Sequence, residues 1–169
     1  MIILTHLAAA PDMARLKKLV CTLDFSNDSE YLQKCLEESG EHRAVLIATH
    51  NGIDVGLCVI NFTPLYPLFQ KLHIPEIQDL NIHPDARGIG AGTALVTAAE
   101  NLARSRGYTD IGIGVGLTAD YGPAQRLYVK LGYIPDGTGI SIADQAAPLR
   151  PGDIRAIDDD VCLYMVKSL

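Results

Sequence analysis

The sequence predicts an α+β protein of about seven strands and about four helices, folded as one domain over residues 1–169. The predicted order is strand, two helices, three strands, helix, strand, helix and two strands, without an internal repeat. A chain of 169 residues with 48% hydrophobic content can bury one substantial core. Asn51-Gly52, between two runs rich in β-branched residues, is typical of a type I′ hairpin. Together these observations favour strands and helices packed around one core.

The N-terminal part is predicted to form a short strand over residues 2–7 and then two amphipathic helices. In the first helix, apolar residues recur at helical spacing after Pro11-Asp12. Asn27 or Asp28 caps the second. The predicted buried positions are Met13, Leu16, Leu19 and Val20 in the first helix, and Tyr31, Leu32, Cys35 and Leu36 in the second.

Residues 44–49 and 53–62 are predicted to form the two strands of the hairpin. Two prolines interrupt residues 63–69, so we expect a loop or an irregular helical turn there. The aromatic side chains of this segment, which we expect to be exposed, either line a pocket or pack against the protein.

The C-terminal half alternates strands and helices. Strands are predicted over residues 77–83, 108–117 and 161–166 and from Tyr133 onward, helices over 91–105 and 124–131, and a long loop over about 136–158. From Ile111 to Leu117, branched residues alternate with glycines, which leaves one face of this strand bare. Either a helix packs closely against that face, which we favour, or a ligand does.

Charge and cysteine content exclude some classes of protein. A net charge of −6 argues against nucleic acid or an anionic membrane as the main partner. The acidity promotes solubility or attracts a cationic acceptor. The cysteines lack the spacing of a zinc site or a disulfide framework, so we expect buried, reduced thiols, no metal and a cytoplasmic location. They are Cys21, Cys35, Cys58 and Cys162. Residues 1–4 are too short for a signal sequence, and no segment is long enough to span a membrane.

Three glycines, at positions 88, 90 and 92, lie where a strand gives way to a helix. Glycine allows the backbone to approach a ligand, and the first amides of a helix are unpaired donors, so this segment can bind a pyrophosphate. A P-loop is excluded because no lysine occurs between Lys71 and Lys130, and Thr93 fits the dinucleotide fingerprint poorly. A tight turn without a ligand is the alternative. We expect valine at Gly90 to block the ligand without unfolding the chain, provided Gly90 has ordinary backbone angles.

The pattern Arg87-x-x-Gly90-x-Gly92 resembles the coenzyme A signature of the GNAT superfamily of N-acetyltransferases. Residues 124–133 resemble the second signature of that family, in which an alanine opens a helix, a tyrosine follows and Leu-Gly-aromatic ends it. The resemblance covers about residues 75–135. The chain departs from it at Tyr121, where many members have asparagine, which puts the coenzyme contacts there in doubt.

The resemblance implies a central mixed, mostly antiparallel, twisted sheet and acetyl-coenzyme A as co-substrate. It also implies a set of residues that contact the coenzyme. They are Leu80, Asn81, Ile82, Arg87, Gly88, Ile89, Gly90, Ala91, Gly92, Thr93, Ala124 and Tyr128. A bulge at residues 80–82 would free one amide to stabilise the oxyanion.

An aliphatic amine is mostly protonated at neutral pH, so the reaction requires a proton acceptor, and the departing thiolate benefits from a donor. The resemblance makes Tyr128 the general acid, against a purely packing role. Glu76 lies eleven residues before Arg87, where some members place a catalytic glutamate. The alternatives are a solvated Glu76 at a strand end or a water relay. Asp79 and His83 are reserve candidates, and His83 fits a structural role better.

The resemblance therefore predicts direct acetyl transfer, in a ternary complex, to a primary amine of a small molecule or peptide. A non-catalytic acyl-coenzyme A sensor is the alternative, and Tyr128 argues against it. A cysteine nucleophile would require activation by histidine, and none of the cysteines lies in such a motif. A homodimer is an open alternative to a monomer.

Overall fold

The computed structural model describes residues 2–23, 29–142, 148–158 and 160–169. Within these ranges the chain forms seven strands and five α-helices. The strands are β1 (Ile3–Leu7), β2 (Arg43–His50), β3 (Ile53–Asn61), β4 (Glu76–Ile82), β5 (Asp110–Gly116), β6 (Ile134–Ile142) and β7 (Val161–Ser168). The helices are α1 (Met13–Leu23), α2 (Ser29–Glu37), α3 (Pro67–Leu72), α4 (Ala91–Ser105) and α5 (Gly122–Lys130).

The strands form an open sheet in the order β1-β2-β3-β4-β5-β7-β6. Strand pairs β1–β2, β2–β3, β5–β7 and β6–β7 are antiparallel. The predicted α+β class and the mostly antiparallel sheet are confirmed. The fifth helix is α3, which begins at Pro67, a residue well suited to the first position of a helix because its missing N–H is not needed there.

The chain divides into two compact units, one of residues 1–62 and 77–102 and the other of residues 63–76 and 103–169. The expectation that residues 1–169 form a single domain stays a prediction. No helix of the described chain is long and apolar enough to cross a membrane.

In the first unit, the core lies where α1 and α2 cover the hairpin of β2 and β3. The fully buried side chains of this core include Leu16, Leu32, Cys35, Val45, Ile47, Leu57 and Val59. The predicted apolar sides of both helices are thus confirmed, whereas the predicted caps Asn27 and Asp28 lie outside the described residues. Asn51 and Gly52 both have positive φ, 52° and 79°, as a type I′ turn requires. Cys21 is exposed, so the expectation that all the cysteines are buried is wrong.

In the second unit, the aromatic residues of the 63–74 segment are buried, and the expectation that they are exposed is wrong. The ring of Tyr66 stacks on Tyr164 with 3.6 Å between centroids, and Phe69 meets both rings edge to face. A Cβ atom built on Gly112 of β5 would lie 2.2 Å from the ring of Phe69. The bare face of β5 is therefore filled at this position by a side chain of α3, as favoured from the sequence.

The loop predicted over residues 136–158 begins later than expected, because β6 continues to Ile142. The pairing of β6 with β7 is irregular between Pro135 and Ile140 and regular afterwards. Glycine and proline in this stretch predict a loop, yet they accommodate an irregularity inside the strand. Residues 148–158 contain no helix or strand, and residues 143–147 lie outside the described part of the chain.

Candidate active site

The glycine loop follows β4 through a short 3-10 turn, Pro84–Ala86. The backbone N–H of Asp85 donates to Nδ1 of His83 at 3.3 Å, and the N–H of Ala86 donates to the carbonyl oxygen of His83 at 2.8 Å. The backbone N–H of His83 itself donates to the carbonyl of Val55 in β3, at 2.8 Å. These bonds support the structural role for His83, as a residue that holds the turn before the loop.

Gly88 and Gly90 have φ values of 78° and 94°, which residues other than glycine rarely adopt. Apart from the glycine and its two chain neighbours, no described atom lies within 4 Å of a Cβ built on either residue. The first helical hydrogen bond of α4 runs from the N–H of Ala94 to the carbonyl of Gly90 at 2.9 Å, so the amides of Ala91, Gly92 and Thr93 precede that ladder. Open space beside helix N-terminal amides fits a pyrophosphate. Gly90 does not have ordinary backbone angles, so a side chain there would also strain the backbone.

The strand β4 has an irregular backbone at Asp79, whose φ is 53°. The side-chain Nδ2 of Asn81 donates to the carbonyl oxygen of Asp79 at 3.3 Å. A Cβ built on Gly56 of β3 would lie 2.7 Å from the carbonyl oxygen of Asn81, so the two backbones approach closely just after the irregularity. The irregular residue directly precedes Leu80–Ile82, the segment expected to offer its amides.

A polar network that the sequence analysis missed surrounds Asp79. The hydroxyl of Tyr31 on α2 donates to Oδ2 of Asp79 at 2.5 Å, and Nη1 of Arg43 on β2 donates to the Tyr31 hydroxyl at 3.1 Å. Nε of Arg43 lies 2.9 Å from Oε2 of Glu38. Burial raises the pKa of Tyr31, and the neighbouring charge of Asp79 raises it further. Tyr31 therefore stays protonated and remains a hydrogen-bond donor.

Tyr128 lies on α5 and is 4% exposed. Its backbone carbonyl accepts from the N–H of Leu131 at 3.1 Å and of Tyr133 at 3.0 Å, which closes the helix at the Leu-Gly-aromatic end. The Tyr128 and Tyr133 rings are tilted by 56° with centroids 6.1 Å apart. Because the ring is buried, its orientation and the direction of its hydroxyl are fixed. A packing role and a proton-donor role both require this.

Helix α5 begins beside the end of β5. Nε2 of Gln125 donates to the carbonyl oxygen of Gly116 at 2.8 Å. A Cβ built on Gly116 would lie 2.5 Å from the ring of Tyr121. The ring of Tyr121, the residue that departs from the family resemblance, thus packs on β5, and Ala124 lies half-buried in the first turn of α5.

Glu76 is the first residue of β4 and is 5% exposed. The alternative of a solvated charge at a strand end is therefore wrong. A buried carboxylate requires compensating partners and is a frequent feature of functional sites. Among the residues that the structure describes, no group of three or more His, Cys, Asp or Glu side chains could hold a metal ion.

Comparisons with known proteins agree with this fold. The open seven-stranded sheet with its helices is an α+β fold, and residues 13–133 match the model of the Acetyltransferase (GNAT) family. Because the match spans more than half of the chain, the protein belongs to the GNAT family of acetyltransferases. It is an acyltransferase.

Solved structures show the same fold along almost the whole chain. An N-acetyltransferase from Staphylococcus aureus Mu50 is 14% identical with a TM-score of 0.69, and the match covers 99% of each chain. A ribosomal-protein-alanine N-acetyltransferase from Brucella melitensis is 22% identical with a TM-score of 0.69, covering 98% of this chain and 99% of that chain. An acetyltransferase from Salmonella typhimurium, determined with acetyl-coenzyme A, is 16% identical with a TM-score of 0.69, covering 99% and 94%. A search of curated proteins finds no match.

Proposed function

We propose that the protein transfers an acetyl group from acetyl-coenzyme A to a primary amine, by direct attack in a ternary complex. The observation that carries this proposal is the open loop at Gly88 and Gly90 before the N-terminus of α4, in a chain of the GNAT family. The acetyl-coenzyme A present in the Salmonella typhimurium structure supports the same co-substrate. Since no atom lies within 4 Å of either added Cβ, the loop leaves space that a pyrophosphate would fill.

In this proposal, the backbone from Arg87 to Thr93 binds the pyrophosphate. The exposed Arg87 adds a positive charge, and the amides that precede the first helical bond of α4 donate to phosphate oxygens. Residues Leu80–Ile82 and Ala124 contact the remainder of the coenzyme. Bound acetyl-coenzyme A supplies an activated acyl carbonyl with a thiolate leaving group.

The proposed proton transfers use two buried side chains. Tyr128 donates a proton to the departing sulfur, for which a phenol with a fixed ring is suited. Glu76 accepts a proton from the ammonium form of the acceptor, directly or through a water molecule, because only the free amine is a nucleophile. Burial of both side chains supports these assignments, since proton transfer requires a group held in one orientation.

The proposed acceptor is a primary amine of a small molecule or of a peptide. The Brucella melitensis neighbour is described as a ribosomal-protein-alanine N-acetyltransferase, which is an example of a peptide acceptor. The acidic composition of this chain, with a net charge of −6, is compatible with attraction of a cationic amine.

Thermal unfolding with ligands tests the coenzyme assignment. Acetyl-coenzyme A is expected to raise the melting temperature, whereas ATP and NAD at the same concentration are not. The loop lacks the lysine of a P-loop, and its residues do not fit the dinucleotide-binding fingerprint. Equal stabilisation by ATP would contradict the assignment. A screen of amines with thiol release as the readout then identifies an acceptor. Its steady-state kinetics should show a ternary-complex pattern, whereas a covalent relay gives a ping-pong pattern and a sensor gives no turnover.

A further inference from the structure

Asp79 has a backbone conformation that β-strands do not favour. Its φ of 53° falls in the left-handed region, while residues on both sides continue β4. Aspartate tolerates this region better than most residues, but it still prefers negative φ. Rotation about the N–Cα bond of Asp79 turns the peptide that follows it, so this residue sets the direction of the N–H of Leu80.

Asp79 in this conformation makes hydrogen bonds with Asn81 and with Tyr31, among its contacts in the described chain. The Asp79 carbonyl oxygen accepts from the side chain of Asn81, two residues later, at 3.3 Å. The Asp79 carboxylate accepts from Tyr31 on α2, which is 48 residues away in the sequence. The first bond is local to the turn, whereas the second ties the turn to a separate helix.

Tyr31 is itself held in place by Arg43. The guanidinium donates to the Tyr31 hydroxyl at 3.1 Å, and its Cζ lies 5.5 Å from the centroid of the Tyr31 ring. Nε of Arg43 bonds to Glu38 just after α2 at 2.9 Å. The hydroxyl that Tyr31 presents to Asp79 is therefore fixed from two sides, by its own ring packing and by a charged donor.

We propose that the Tyr31–Asp79 hydrogen bond is a positioning device for the coenzyme: it holds the left-handed turn of β4 that aims the amides of Leu80–Ile82 at the acyl-pantetheine end of acetyl-coenzyme A. This inference rests on the proposed function, because it concerns the same ligand. Asp79 is thereby a positioning residue that acts through the backbone. This role differs from that of proton acceptor, for which Asp79 is a reserve candidate.

Glycine at position 79 separates the two roles. Glycine adopts positive φ about as readily as negative φ, so Asp79→Gly keeps the turn without the carboxylate. Asp79→Ala removes the carboxylate and also disfavours the turn. Asp79→Asn keeps both the tolerance of positive φ and an oxygen that accepts from Tyr31.

Isothermal titration calorimetry with two probes measures the effect. The probes are acetyl-coenzyme A and 3′-phosphoadenosine 5′-diphosphate, which carries the pyrophosphate but no pantetheine. Asp79→Ala should weaken acetyl-coenzyme A binding by about tenfold or more, and Asp79→Gly and Asp79→Asn by less than about threefold, because only alanine resists the turn. Binding of the nucleotide fragment should be unchanged in every variant.

A double-mutant cycle of Tyr31→Phe and Asp79→Gly tests whether both residues act on the same turn. In the parent, Tyr31→Phe removes the anchor and should weaken acetyl-coenzyme A binding by about three- to tenfold, while in the Asp79→Gly background it should cause no further loss, because the two changes act on one element. If Asp79→Ala does not fold, this pair of measurements decides the question alone.

Each of the following four results would overturn the inference. Equal losses in Asp79→Gly and Asp79→Ala would mean that the carboxylate itself is needed, and unchanged acetyl-coenzyme A binding in Asp79→Ala would mean that the turn does not matter. A parent protein that binds neither probe would overturn the proposed function, and this inference with it. Binding of both probes by the parent, with parallel losses in all variants, would overturn the inference alone.

Discussion

Alanine at Gly90 tests the coenzyme loop most directly, because the chain contains a matched control at Gly40. Gly90 and Gly40 have φ values of 94° and 96°, both are exposed, and no atom lies within 4 Å of a Cβ built on either. Gly40 lies in the turn between α2 and β2, outside the glycine loop. The two substitutions are therefore matched in φ and in open space, and they differ in position, since Gly90 directly precedes the unpaired amides at the start of α4 and Gly40 does not.

The expected loss of folding stability follows from the backbone alone. A non-glycine residue with left-handed φ costs about 1–2 kcal/mol, and the open space around both positions adds no steric term. For a chain of this size, 1 kcal/mol corresponds to roughly 2–4 °C, so both variants should melt about 2–8 °C below the parent. The loss of acetyl-coenzyme A affinity should be at least about tenfold for Gly90→Ala, because the methyl group enters the space where the backbone would meet the pyrophosphate.

Differential scanning fluorimetry and isothermal titration calorimetry provide the two readouts. Gly40→Ala should match Gly90→Ala in melting temperature and match the parent in acetyl-coenzyme A affinity. The reasoning is refuted if Gly90→Ala binds acetyl-coenzyme A as tightly as Gly40→Ala, since the loop would then be a turn without a ligand. Unfolding of Gly90→Ala alone would show that the loop is needed for folding.

Three further variants test other parts of the structure. Tyr128→Phe should lower turnover by about ten- to a thousandfold and leave acetyl-coenzyme A affinity within a few-fold of the parent, as expected for loss of a proton donor. Normal turnover of this variant on the identified acceptor would exclude that role. Glu76→Gln should recover activity as pH rises, because more of the amine is then free base, and a pH-independent defect would contradict this role. The hydrogen bond from Arg15 lowers the pKa of Asp54. Asp54→Asn should therefore be less stable than the parent above pH ~4, and the two stabilities should converge as pH falls through the lowered pKa. Denaturant unfolding at several pH values measures this difference, and a difference that does not change with pH would contradict the prediction.

Local signals in the sequence are sufficient for the elements that local chemistry determines. Asn51-Gly52 predicts the hairpin because both residues tolerate positive φ, and both have it. The limits of α4 follow from an apolar period of 3.6 that ends at Gly107, and the helix is found over Ala91–Ser105 as predicted. The glycine-containing connection between β4 and α4 is predictable for the same reason, whereas its binding of a coenzyme stays a prediction.

Features that depend on distant residues could not be predicted. The sequence pattern identifies Tyr31 only as an apolar position of an amphipathic helix. Its hydrogen bond to Asp79 depends on how α2 and β4 meet in the folded chain. Similarly, the burial of Glu76 depends on what covers the start of β4, and a carboxylate after a proline suggests only an exposed strand end. In β6, tertiary pairing with β7 overrides a glycine- and proline-rich composition that favours a loop.

Glycine is required for two different reasons in this chain, close packing at some positions and a positive φ at others. At Gly112 and Gly116 an added Cβ would lie 2.2 Å and 2.5 Å from aromatic rings, so glycine is required there by packing inside the protein. At Gly88 and Gly90 an added Cβ would meet nothing within 4 Å, and the backbone has positive φ. Positive φ in open space also occurs at Gly40, so it accounts for glycine at positions 88 and 90 without identifying a ligand. The loop before α4 differs from Gly40 because it directly precedes amides that have no partner in the helical ladder, whereas Phe69 and Tyr121 fill the bare face of β5. We therefore propose that the coenzyme binds at the loop before α4 and not on that face.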